Sequence, residues 1–467
     1  MTDERHRSEQ GLRDLAAWAT GASIADMPEA VRRRAAMIVV DDIAATAAAR
    51  DEPEVKALQE RLVAGSGLAE ATVFCAGAPK AERAVAASAN GTAANWCELD
   101  EGYRVVGCHA GLYTVPAALA EAEAAGLSTE ELLRAIVVGY EVVTRFARTW
   151  QFPESPRTVH PHSTFAAVGA AATVAAARRL DAKPYLDAIS AAATLITVGP
   201  HDHAVKGALI ENAWAGVGAW NGFRAVDWAE YGIAGIAGSA YSVYARVLNA
   251  KTEAGNLTEA LGEHWAVSDG YHKIYSCCQH IHSAVEATLA ALEELPAGKD
   301  ASHIESILVE THELAVHLDN RKPETTLAAR FSVPQAIATT CVFGHAGPDA
   351  FAASTLGAPE IARLRGRVEL RLFEPAMPPP NDRPARVTIT LNDGAGLASE
   401  CLSAQGGPDR PFPPETILEK ARGLTAGVYH DYASVASRLV DLEGPLLARK
   451  WGDVIGDIVE GAAAVAD

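Results

Sequence analysis

The stretch VHPHSTFAAVGAAATVAAARRL, residues 159–180, constrains this chain more than any other. After the polar opening His160-Pro161-His162-Ser163-Thr164 it is almost all Ala, Gly, Val and Thr until Arg178-Arg179. A helix that is apolar all round either spans a membrane or is buried on every side. A span needs about 20 strongly apolar residues, whereas this run is shorter and poor in Leu, Ile and Phe. It therefore reads as the central helix of a large soluble helical domain, its small side chains letting neighbouring helices come close. The first turn of such a helix leaves backbone N–H groups unpaired at the positive end of the dipole, a ready anion site. His160 and His162 stand there.

The chain has 467 residues, more than one core usually holds, so two domains are expected. A net charge of −19 argues against nucleic-acid and anionic-membrane partners, which demand a basic patch. A small anionic substrate stays compatible, because a few local cations can reverse the field inside a pocket. The opening MTDERHRSEQGLRDLAAW is charged throughout and has no apolar signal core. The 7 cysteines are odd in number and scattered, which suits a reducing cytoplasm better than a disulfide framework.

Helical patterns follow one another from about residue 11 to 262. They include the amphipathic 54–62, the small-residue stretch 80–95 and a run at 113–125. ELLRAIVVGYEVVTRFARTW is opened by Ser128 and Glu131 at capping-box spacing, and 181–197 reads as a further Ala-rich helix. After Trp265 the pattern changes. One helix at 283–295 leads to strand-like alternations, SHIESILVETH, VELRLF and ARVTITLND, separated by Pro- and Gly-rich turns such as EPAMPPPNDRP. PQAIATTCVFGHAG falls between them as a helix. Amphipathic helices return over 414–465. The expected fold is mainly α: a large helical domain made by both chain ends, 1–265 and 406–467, with a smaller α+β lid domain inserted at 266–405.

Polar islands at 98–111, 160–164, 201–206 and 271–282 interrupt the apolar chain, each with His or Lys at a helix end. Converging, they would form a pocket of carboxylates, imidazoles and ammoniums. No GxGxxG, P-loop or GxSxG motif is present to bring a nucleotide or an activated serine. Such a set fits proton transfer at a carbon next to a carboxylate. His109, His160, Lys206, Lys273 and Asp100 are the candidate catalytic groups, with Glu98, His162, Ser163, His203, Tyr271, Cys278 and His282 as candidate substrate-binding residues. Each has a plainer reading: a helix-end or surface histidine, a solvated loop lysine, a solvated acidic turn. Cys277-Cys278 with His280 and His282 lacks the CxxC spacing of a zinc site, and no metal is assigned.

At these same islands the sequence resembles the MmgE/PrpD family, which includes 2-methylcitrate dehydratase, cis-aconitate decarboxylase and iminodisuccinate epimerase. The resemblance is carried by ANGTAANWCELDEGY leading to HAGLYTVPAALAEAEAAG, by HPHSTFAAVGAAATVAAARRLD, by KGALIENAWAGVGAW, by KIYSCCQHIHSAVEA and by the later ARFSVPQAIA and PETILEKARGL. It implies a homodimer that works without metal or organic cofactor, with its site in the cleft between domains. It places His109, His160, Lys206 and Lys273 at site positions and Asp100 in the acidic motif. Where many relatives read Asp-Phe-Asp-Asp followed by Thr or Ser, this chain has Glu98-Leu99-Asp100-Glu101-Gly102, so a hydroxyl is missing. Cys278 stands where the decarboxylase has a histidine, and Gln335 where it has a tyrosine, which disfavours decarboxylation. The expectation is epimerase or hydro-lyase chemistry on a small di- or tricarboxylate, in the cytoplasm. The alternative is a family member that binds carboxylates without turnover.

Overall fold

The computed structural model describes residues 2–153 and 158–460. The architecture is mainly α-helical. Its centre is the helix Pro161–Ala177, buried from His162 to Ala177. Around it pack Ala110–Ala125, Thr129–Thr149, Ala182–Ala192 and Ile210–Glu230. Small residues set these distances. A methyl group built on Gly218 would meet the Ala166 carbonyl carbon and the Ala167 nitrogen at 2.9 Å, and one on Gly222 would meet the Ala171 nitrogen at 2.8 Å. The central helix starts where His160 leaves extended backbone and Pro161 supplies a fixed φ at the first helical position.

One apolar core gathers residues between Leu12 and Val267 with others between Phe412 and Ile458. The helix Pro414–Thr425 lies along Glu29–Ala48, and the Tyr432 hydroxyl donates to the Val40 carbonyl. A second core is built almost wholly between Cys277 and Cys401. It fills the space between a four-stranded sheet and the helices His282–Glu293 and Val333–Phe343. The strand order is Gly396–Cys401, Ala385–Leu391, Ile304–Thr311, Val368–Leu372, antiparallel except for the last pair. Ala385–Leu391 alternates buried and half-buried residues along its length, as a sheet with one covered face requires.

Several boundaries differ from the sequence reading. Lys80–Ala81 is a short strand paired with Ala71–Thr72, and the helix begins only at Arg83. The helix expected to run to residue 197 stops at Ala192. The strand Gly396–Cys401 was not anticipated: GLASEC carries Gly, Ala and Ser where strand formers are expected, and its pairing with Ala385–Leu391 decides the matter. Of the helical tail, residues 461–465 lie outside those described.

The close approach at Gly218 makes a direct prediction. Ala is the better helix former by about 1 kcal/mol, yet Gly218→Ala forces the two central helices apart. A net destabilisation of about 1–3 kcal/mol is expected, read as a lowered denaturation midpoint at unchanged m-value.

Candidate active site

Short backbone pairings bring the polar islands together. Gly102–Tyr103 pairs antiparallel with Gly270–Tyr271, setting the acidic turn beside the segment that carries Lys273. Val159 bridges Pro200, and the His160 N–H donates to the Gly199 carbonyl at 2.9 Å, fixing the start of the central helix against His201. Between the two cores this leaves a cavity of about 330 Å³, within the roughly 300–1,000 Å³ range of small-molecule sites. Glu98, His109, His160, His162, Tyr271 and Cys278 line it.

His109 meets Asp100 at 2.5 Å through Nδ1. Behind Asp100 the Lys273 ammonium donates to Asp100 Oδ1 at 3.3 Å and Glu98 Oε2 at 3.2 Å, wholly buried. Burial would raise the Asp100 pKa, but Lys273 and His109 outweigh it and hold the carboxyl down at about 2. Burial likewise opposes the charge on Lys273, while Asp100 and Glu98 keep its pKa well above the ordinary lysine range. Asp100 is thus an ionised acceptor. It selects the imidazole tautomer with the proton on Nδ1, leaving Nε2 of His109 as the basic nitrogen.

Across from this pair, the rings of His109 and His162 meet edge-on at 4.5 Å, as do those of His160 and His162. Tyr113 and His162 Nδ1 share a 2.7 Å hydrogen bond. Burial, then the neighbouring His109, Lys273 and His201, hold the His162 pKa well below the usual range. Under both histidines lies Glu211, wholly buried, 3.4 Å from His160 Nδ1 and 3.6 Å from His162 Nε2.

Other sequence candidates fall outside the cavity wall. Asp100 and Lys273 act from behind Glu98 and His109. Ser163 turns its hydroxyl back to the His160 carbonyl at 2.7 Å, and the His203 ring stacks on Trp214. His282 Nε2 lies 3.1 Å from the Cys277 carbonyl oxygen, packed edge-on against Tyr275. Lys206 is 72% exposed and paired with Asp202 at 2.6 Å, one residue past Val205, which does line the cavity. Cys277, Cys278 and His282 do not gather into a metal-ligating set among the described residues, whereas His160, His162 and Glu211 do.

His201, Gln279 and His280, which belong to the polar islands but were not candidate site residues, also line the cavity, and the structure adds His317 and Arg383 from outside the islands. Arg383 donates to Gln279 Oε1. It sits in the turn EPAMPPPNDRP, which composition marks only as a connection. Glu211 did carry a signal, an acid inside the apolar run ALIENAWAG, but the run reads first as packing.

A mainly helical chain whose buried histidines and Glu98 line a small-molecule cavity, with further carboxylates behind them, has the organisation of an enzyme. The chain belongs to the MmgE/PrpD family: the MmgE/PrpD N-terminal domain matches residues 13–250 and the MmgE/PrpD C-terminal domain matches residues 275–442. No curated protein matches it. The family includes dehydratases and related enzymes.

Glu101, next to Asp100, gives a pH prediction. Burial pushes its carboxyl up to about 8, against the pull of Arg34 and of the donors Tyr140 and Gly111. Between about pH 4.5 and pH 8 the folded state holds a proton that the unfolded state has lost, so stability falls as pH rises through that window and levels off above it. Glu101→Gln removes this contribution. The decline in unfolding free energy should flatten by up to about 1.4 kcal/mol per pH unit, measured by denaturant melts from pH 5 to pH 9.

Proposed function

We propose that this enzyme moves a proton at the carbon next to a carboxylate of a small di- or tricarboxylate, as an epimerase or a hydro-lyase. The observation that carries the reading is the His109–Asp100 contact at 2.5 Å, backed by buried Lys273 and opening onto the cavity. His109 Nε2 is the base; Asp100 orients the ring and stabilises the imidazolium that forms. Lys273 positions Asp100 and Glu98 and does not reach the substrate itself.

The anionic end of the substrate needs cations, and in this reading Arg383 and the N-terminal turn at His160 provide them. Lys206 joins them at the rim, turning in beside Val205 when substrate is bound. Glu98, Tyr271 and Cys278 shape the remaining wall. Epimerisation needs a second proton carrier on the opposite face of the carbon, and dehydration needs one that protonates the leaving hydroxyl. The histidines facing His109 can serve either. Decarboxylation has less support, since Cys278 and Gln335 replace the histidine and tyrosine implied for it. A cytoplasmic homodimer belongs to the same proposal: Tyr231, Ile233, Ile236 and Val247 are exposed apolar residues that a second copy would cover.

Proton NMR in D₂O, with iminodisuccinate, 2-methylcitrate, cis-aconitate and related hydroxy- and amino-dicarboxylates, tests the reaction. Exchange of an α-proton without net loss identifies an epimerase, and a new vinyl signal identifies a lyase. His109→Asn should lower turnover by about 10²–10⁴-fold with substrate binding retained. Binding without exchange or elimination across the panel would overturn the catalytic reading in favour of a non-catalytic binder. Lys206→Ala, at an exposed position, should keep the wild-type melting temperature while losing turnover; full activity would remove Lys206 from the site.

A further inference from the structure

We propose that Glu211 is a positioning residue whose carboxyl donates a proton to Nδ1 of His160, fixing that imidazole with its own proton on Nε2, the opposite tautomer to that of His109. Geometry carries the assignment. As the cap of the central helix, His160 Nδ1 accepts the backbone N–H of His162 at 3.4 Å. That nitrogen therefore presents a lone pair and has no proton to give. Glu211 Oε1 lies 3.4 Å from the same nitrogen, and neither oxygen of this wholly buried carboxyl has a well-formed hydrogen bond. Two lone pairs facing each other out of water would repel. A proton on Oε1 turns the contact into O–H···N and accounts for the gathering of these donor atoms.

The surroundings keep that proton in place. Burial, then the charges of Glu98 and Asp100, hold the Glu211 carboxyl well above the usual carboxylate range, against the opposing pull of Asn95 and Lys273. The neighbouring donors run in one direction. Burial keeps the Tyr113 hydroxyl protonated, and it donates to His162 Nδ1 at 2.7 Å. His162, held neutral chiefly by burial, then carries its proton on Nε2, 3.6 Å from Glu211 Oε1. Oε1 accepts on that side and donates to His160 on the other. Separations of 3.4 and 3.6 Å are long for hydrogen bonds, and catalytic contacts of this kind tighten when substrate fills the site.

Two imidazoles on the cavity wall are thus prepared in opposite ways. Ionised Asp100 draws the proton of His109 to Nδ1 and leaves Nε2 basic, whereas neutral Glu211 fills Nδ1 of His160 and leaves Nε2–H as the donor. Carboxyls in opposite protonation states assign the base and the donor. The catalytic use of this arrangement rests on the reaction proposed above. As His109 removes the α-proton, His160 Nε2–H donates to the substrate carboxylate oxygen on which charge gathers. A ring in the other tautomer would present a lone pair to that oxygen.

The test uses the full chain near neutral pH. Infrared difference spectra between the unaltered protein and Glu211→Gln should show the C=O stretch of a carboxylic acid lost in the variant; loss of carboxylate bands instead overturns the proposal. In ¹⁵N NMR of histidine-labelled protein, the His160 signals, identified by their loss in His160→Asn, should show Nε2 protonated and Nδ1 bare. The reverse tautomer, or an imidazolium, refutes it. Glu211→Met keeps the side-chain length without a proton to donate and should lower kcat by about 100-fold with KM nearly unchanged. Glu211→Gln, whose amide N–H can donate to Nδ1, should recover most of that loss; equal damage in both variants removes the positioning role. Should a variant fail to fold, the nitrogen spectra of the unaltered protein decide. If no carboxylate in the panel turns over, the proposed reaction fails while those spectra still decide the tautomer.

Discussion

A buried ammonium between two buried carboxylates is the constraint on which the rest of this structure depends. Lys273 has no exposed surface, and neither does Asp100. Taking these charges out of water costs several kcal/mol per ion, recovered only when geometry and partners are right, and removing one member leaves the others uncompensated. The acidic turn and the Tyr271–Lys273 segment, remote in sequence, are therefore held to one register, which the strand pairing of Gly102 with Tyr271 enforces. A parallel arrangement ties in the chain end. Asp41 meets Lys420 at 2.5 Å and His272 at 2.7 Å, and Lys420 also donates to the Leu99 carbonyl at 2.7 Å. Segments from three parts of the chain thus converge on the residues flanking Asp100 through charge, where the apolar packing alone would tolerate sliding.

The central helix contributes a different kind of precision. Its alanines, met by Gly218 and Gly222 of the facing helix, let Ile210–Glu230 approach to backbone contact, and this is why Glu211, in the first turn of that helix, can reach under His160 and His162. A helix of large side chains would stand farther off, and the carboxylate would miss them. The cavity then sits at the seam between two separately packed cores. Residues from the first carry most of its histidines, while Leu318 and Phe331 from the second close its apolar side.

Charge placement inside the cavity suits the acidic ligand proposed above, although the chain itself is acidic. Glu98 is the acid on the wall, and Lys273 behind it offsets its charge. Arg383 and a ring of imidazoles face the remaining space. The net charge of −19 belongs to the surface and says little about this interior.

Much of the architecture could be read from residue order. Helical periodicity, the capping box at Ser128 and Glu131, which the structure forms in full, and the apolar run after His160 are local signals that physical chemistry translates directly. The islands containing His109, His160, Tyr271 and Cys278 were equally visible, because charged or aromatic groups stand out in an Ala-rich background. What the sequence could not decide was which side of each island faces inward. Lys206 and Lys273 look alike as loop lysines; one is at the surface with Asp202, the other is wholly buried between carboxylates. Arg383 and Glu211 gain their places from contacts across long stretches of chain, Arg383 with Gln279 and Glu211 with His160. Periodicity and spacing report a residue's own element, whereas the partner that gives a charge its role is chosen by how elements pack, and only the tertiary structure holds that information.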